Sequence, residues 1–219
     1  MLDGGPYSVR EFLTGTHMDG DTVIEVSSRA AAYADPRAEL VMSTATFDLG
    51  DDTVVPPTVS LYADGHIYQQ DSESGQWIAL DVGGLVSTVL LPLVMLTGTT
   101  GVIGHGPRYR CTASPRVLTQ RAKEARRRAL DKALSAMSYD LVDDVELVVD
   151  LHESFISRVE LRATWIPGSR GDGVISTRSV IELEGTQPQA VDIPDPAEFM
   201  DAEMYLMDQL DPESYQQRP

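Results

Sequence analysis

TVSLYADGHIYQQ, Thr58–Gln70, is the stretch that decides the fold class. Asp64-Gly65 supplies the positive φ angles of a two-residue hairpin turn, and β-favouring residues lie on both sides. SESG (Ser72–Gly75) then turns the chain into QWIALD, so this part reads as an antiparallel β-meander. Upstream, ELVMSTATFDL (Glu39–Leu49) is a strand closed by Gly50–Asp52. TVIEVSSRAAAYA (Thr22–Ala34) reads as a strand on Val23, Ile24 and Val26, although its alanines favour helix. Residues 1–20, with Gly4, Gly5, Pro6 and Gly15, read as a flexible lead-in.

Downstream of the meander lies LVSTVLLPLVMLTG, Leu85–Gly98, without a single charge in a chain of formal net charge −17. Its apolar run is too short for a bilayer, which needs about 20 residues. Pro92 interrupts it, and glycines flank it on both sides. It therefore reads as an apolar helical segment, not a membrane span or a leader. GTTGVIGHG, Gly98–Gly106, lacks the lysine and following helix of a phosphate loop and reads as a mobile connection. PRYRCTAS (Pro107–Ser114) is a short strand.

From Val117 to Tyr139 the period changes. Leu118, Ala122, Ala125, Ala129, Ala133 and Met137 recur at helical spacing, with Arg121 and Arg126–Arg128 off that stripe. Strands then return. Val145, Leu147, Val149 and Leu151 share a face; Phe155, Val159, Leu161, Ala163 and Trp165 alternate with Arg158, Glu160 and Arg162. Ile175, Ile181 and Leu183 point inward from a last strand. One apolar and one charged face is the pattern of an antiparallel sheet wet on one side. No linker divides the chain, so residues 21–196 form one domain, followed by an acidic amphipathic segment, 197–219, holding Phe199, Met204, Leu206 and Met207.

Composition narrows function by exclusion. The apolar share of 42% and charged share of 23% are those of an ordinary globular protein. A pI near 4.4 argues against nucleic acid and anionic headgroups as partners of the surface at large. A single cysteine, Cys111, removes any internal disulfide and reads as a buried small residue. His17, His66, His105 and His152 form no ligand-spaced pair, so neither a metal nor another cofactor is expected. No serine sits in a nucleophile elbow, and Asp51-Asp52 and Asp143-Asp144 read as solvated charge. Catalysis is the weakest reading.

The order strands, apolar helical segment, basic helix, strands resembles the LppX/LprG-type lipoproteins of actinobacteria and, more distantly, the LolA/LolB carriers. The resemblance runs through Gly65, Tyr68 and Trp77 of YADGHIYQQDSESGQWIALD, the apolar segment, Tyr109, SRVELRATW and QAVDIPDPAEF, from about Glu39 to Phe199. It implies an α+β fold in which a strongly curved antiparallel sheet, a half-barrel, wraps around helices and leaves a hydrophobic cavity for acyl chains. Under that reading Leu85, Val86, Val89, Leu90, Leu93 and Val94, with Trp77, line the cavity, and Pro92 and the glycines let the segment shift as a lid. The bland alternative makes the same segment a core helix. The expected function is non-catalytic carriage of a lipid or other apolar ligand; the rival is a protein-interaction module of the same fold with a filled core. The family is exported and anchored through a lipidated N-terminal cysteine, and MLDGGPYSVREF has neither feature. The expected location is the cell envelope if an upstream export signal has been removed, and the cytoplasm if Met1 is the true start.

Overall fold

Alternation of apolar and polar side chains produces strands along most of the computed structural model, which describes residues 5–19, 22–48, 56–64, 66–72, 74–81, 90–123, 127, 130–131, 134, 139, 142–153, 155–166 and 173–201. The first six strands are β1 (Tyr7–Asp19), β2 (Thr22–Asp35), β3 (Leu40–Asp48), β4 (Thr58–Ala63), β5 (His66–Gln70) and β6 (Trp77–Asp81). Next come α1 (Leu91–Met95), a 3₁₀ turn at Leu96–Gly98, β7 (Thr99–His105), β8 (Arg108–Ala113) and α2 (Pro115–Arg121). β9 (Val145–His152), β10 (Phe155–Trp165), β11 (Val174–Gly185) and β12 (Glu198–Asp201) complete the described elements.

These strands form one open sheet in the order β12-β6-β5-β4-β3-β2-β1-β11-β10-β9-β8-β7. It consists of two meanders sutured where β1 pairs antiparallel with β11, from Tyr7↔Gly185 to Met18↔Val174. Every neighbouring pair is antiparallel except β12, which runs parallel to β6. The Asp64 turn is present, with φ +51° at Asp64, and β2 is a strand despite its alanines.

Residues 7–19 are not a loose lead-in. They form the central strand, flanked by β2 and β11 throughout its length. Gly15 misleads because its role is close approach: a Cβ there would stand 3.1 Å from Val26 Cγ2. GTTGVIGHG is likewise not a mobile connection but contributes β7, an edge strand hairpinned onto β8. Gly104, at φ +126°, leaves no room for a Cβ, which would lie 2.8 Å from the Arg108 carbonyl oxygen.

The helical content is smaller than expected. α2 ends where Ala122 turns extended, at ψ 142°. Helical backbone is seen again at Arg127, Leu130, Asp131 and Leu134, so the stripe from Val117 is not one continuous helix. Of its alanine positions only Ala122 is described. Pro92 occupies the first turn of α1, where its missing N–H costs nothing, and so begins that helix instead of hinging it. Gly98 is not a hinge either, since a Cβ would meet the Ser114 carbonyl oxygen at 2.7 Å and Leu118 Cβ at 2.8 Å.

The two faces of the sheet carry separate apolar clusters. On the inner face Val9, Val145, Leu147, Val159, Leu161 and Ile181 are fully buried with Met95 of α1 and Leu118 of α2. Each large aliphatic side chain removed from water contributes about 1.5–3 kcal/mol. On the outer face of β4–β6, Leu61, Ala63, Tyr68 and Ala79 form a smaller cluster closed by Trp77 and Val191. The chain after β11 reaches it along the sheet, donating from the Gln189 amide to Tyr33 Oη at 3.0 Å and from the Ala197 amide to the Trp77 carbonyl at 2.8 Å. That segment ends in the short strand β12, which leaves Phe199 exposed. Residues 202–219 lie outside the described ones.

Candidate functional site

Strand alternation sends Tyr7, Ala34, Val41, Tyr62 and Leu183 to the same inner face, through the register Tyr7↔Ala34, Ala34↔Val41 and Val41↔Tyr62, with Leu183 opposite Val9, two residues on from Tyr7. Facing them are α1, the 3₁₀ turn, α2 and Leu130. Between the two layers lies a cleft of about 540 Å³, within the range of about 300–1,000 Å³ of small-molecule sites. Ala34, Val41, Leu93, Leu118, Leu130 and Leu183 form its buried floor. Glu39, Thr97, Arg121 and Lys123 are its exposed rim, with Asp35 half-buried beside them.

Three of the seven residues expected at a cavity, Leu90, Leu93 and Val94, line this cleft. Leu91 and Met95 of the same segment turn instead into the core, since a helix cannot show all of its faces to one cleft. Leu85, Val86 and Val89 lie outside the described residues. Trp77 belongs elsewhere. Its partner Gln70 and its neighbours Ala79 and Tyr68 face outward, opposite to Tyr62, so Trp77 packs in the outer cluster.

In the sequence Arg121 reads only as a cation off the apolar stripe, and Lys123 is not singled out. The signal was the i, i+4 pair Leu118–Ala122, which aims the end of α2 at the sheet and leaves its cations on the margin. Arg121 Nη1 donates to the carbonyls of Thr97 and Thr99, each at 3.0 Å, which ties α2 to the 3₁₀ turn. Asp35 Oδ1 accepts from the amides of Arg37 and Ala38 at 3.0 and 3.4 Å.

The perturbed titratable groups lie away from the cleft. On the outer face, Glu160 accepts from Arg158, Arg162 and Arg178 at 2.6, 2.7 and 2.8 Å. These bonds, Arg178 foremost, bring its carboxyl down to about 2. On the inner face Glu11 accepts, among the described residues, only from Ser179 Oγ at 2.9 Å, and desolvation outweighs that bond to push its carboxyl up. Nearby, Tyr139 Oη and Thr177 Oγ1 are 3.2 Å apart, and the Tyr139 and Trp165 rings are 5.7 Å apart. Cys111 is buried, and burial raises its thiol. Asp143 and Asp144 are exposed, the former 3.5 Å from Arg116. Among the described residues no group of three His, Cys, Asp or Glu stands ready for a metal, and no helix is long and apolar enough to cross a membrane.

No protein-family model matches the chain, and no curated protein sequence does. Among solved structures the chain is similar to LprF from Mycobacterium bovis, at 15% identity and a TM-score of 0.36, covering 90% of this chain and 91% of that one. It is similar to a structure of lipid–protein interactions in lipovitellin at 10% identity and a TM-score of 0.35, over 90% of this chain but 27% of lipovitellin. A DUF1329-family protein from Desulfovibrio piger follows at 11% identity and a TM-score of 0.32, covering 84% and 85%. Likeness at this level carries no function across, so any function must rest on the residues of the cleft.

Proposed function

We propose that this protein binds a lipid or similar apolar ligand in the cleft between the inner face of the sheet and the α1–α2 layer, without chemistry on it. The observation that carries the reading is the cleft itself: about 540 Å³ floored by buried aliphatic side chains. Apolar walls with few polar groups at one margin are how proteins hold apolar ligands. The sequence resemblance to LppX/LprG-type lipoproteins points the same way, and with it go the half-barrel form and the cell envelope as location.

A fluorescent acyl probe tests this directly. Leu90 is half-buried at the cleft, so Leu90→Trp should fill existing space and abolish probe binding with little change in melting temperature. If the space were already filled, the added bulk would cost about 1–3 kcal/mol. Failure of the wild type to bind the probe, together with a large loss of melting temperature in the variant, would overturn the reading. One observation favours a second reading, a protein-interaction module. Edge strand β7 leaves Val102 and Ile103 59% and 79% exposed, a surface suited to pairing with another strand.

A further inference from the structure

The mouth of the cleft differs in charge from the rest of the molecule. The chain carries 34 acidic and 17 basic side chains, yet two cations, Arg121 and Lys123, stand on this one rim. Among the described residues neither makes an ion pair, and the Lys123 ammonium has no hydrogen-bond partner, its backbone carbonyl alone accepting from the Arg127 amide at 3.0 Å. Arg121 uses only Nη1, on the Thr97 and Thr99 carbonyls, and this anchors the guanidinium while leaving the Nε and Nη2 hydrogens without a protein acceptor. A fixed guanidinium with free hydrogens, beside an unpaired ammonium, is a receptor for anionic oxygens.

We propose that the ligand is an amphiphile whose anionic headgroup, carboxylate or phosphate, pairs with Arg121 and Lys123 while its chain lies over Leu93, Leu118 and Leu183. This rests on the cleft being a lipid site and adds the class of ligand. Asp35 and Glu39 occupy the same rim at the β2–β3 turn, where they repel an anion and so direct the headgroup to the α2 side. Asp35 is already engaged by the Arg37 and Ala38 amides.

The test compares oleate, its uncharged methyl ester and lysophosphatidic acid by displacement of the acyl probe, in the wild type and in an Arg121→Gln/Lys123→Gln variant. The wild type should favour oleate over methyl oleate by about five- to tenfold at low salt, less at high salt, as a partly screened ion pair gives. In the double variant that ratio should collapse towards one. Lys123→Gln alone, which breaks no ion pair or side-chain hydrogen bond among the described residues, should lower it part of the way. Asp35→Asn/Glu39→Gln should raise it. A response of both oleate and lysophosphatidic acid supports a site for any anionic oxygen headgroup; a response of lysophosphatidic acid alone supports a phosphate. Equal binding of oleate and its ester, with all ratios unmoved by the variants, would overturn the anionic headgroup and leave the apolar cleft standing. If no ligand displaces the probe because none of them, probe included, binds, the cleft reading falls and this one with it.

Discussion

Two glutamates on opposite faces of the same sheet meet opposite fates. Glu160 on β10 is only 3% exposed, yet three arginines surround it and hold its carboxyl down at about 2. Glu11 on β1 is half-buried on the inner face with Ser179 as its hydrogen-bond partner, and desolvation pushes its carboxyl up. Burial disfavours the charged form in both places; the difference lies in the cross-strand neighbours. Register gives Glu160 the arginines, because Arg162 pairs with Arg178 and Arg158 is two residues away on the same face. Glu11 pairs with Ile181 and Ala30, which offer nothing to a charge. A carboxylate is thus a cornerstone of the outer face and a liability on the inner one.

Breaking the outer arrangement should have the largest effect. Glu160→Ala leaves three partly exposed arginines without their shared anion, at a cost of about 1–3 kcal/mol in urea denaturation at pH 7. The sign with pH follows from the lowered carboxyl. Its contribution is complete above the ordinary value of 4.5 and is lost as pH falls from there towards about 2. Glu160→Gln should therefore flatten acid unfolding in that window; unchanged acid sensitivity would deny Glu160 its role.

Glu11→Gln sharpens the comparison from the other side. A group whose carboxyl is raised contributes most below 4.5, and stability falls as pH climbs through its folded value. The amide keeps the hydrogen bond and avoids burying a charge, so at pH 8 the variant should match or exceed the wild type, by up to about 1 kcal/mol. Equal pH slopes above 4.5 for the two proteins would show that the inner face does not penalise this charge. The smallest effect belongs to an outer-face pair in full contact with water. Arg10 and Glu182 are 3.8 Å apart with side chains 73% and 55% exposed, and Glu182→Ala should change the melting curve by less than about 1 kcal/mol.

The strands were largely legible in the residues that built them. VELVVDL and SRVELRATW placed Val145, Leu147, Val149, Leu161, Ala163 and Trp165 inward as their alternation required. Phe155 did not follow, because the register shift between Ile156 and Arg158 breaks the alternation at the start of β10 and leaves Phe155 exposed. At the cleft, Leu90, Leu93 and Val94 were legible from an unbroken apolar run. The other wall was not: Tyr7, Ala34, Tyr62 and Leu183 come from four strands spread across the chain, and no local pattern joins them. Trp77 was misplaced because alternation says which residues share a face but not which face meets the helices.

The sequence by itself determined the antiparallel class of this protein, its first meander and the presence of a short apolar helix after it. Each rests on a period of two, a turn pair or a run of apolar residues, all of them contained within a few neighbours along the chain. Only the tertiary structure decided that Tyr7–Asp19 is the seam of the sheet, that Gly15, Gly98 and Gly104 mark close approach and not slack, and that Glu160 is held by arginines while Glu11 is not. A glycine has the same local signature in a loop as under a packed neighbour, and a carboxylate the same signature on either face. What separates them is the neighbour laid alongside: Val26 of β2 at Gly15, α2 at Gly98, β8 at Gly104, Arg178 of β11 at Glu160 and, from the far end of the chain, Ser179 at Glu11.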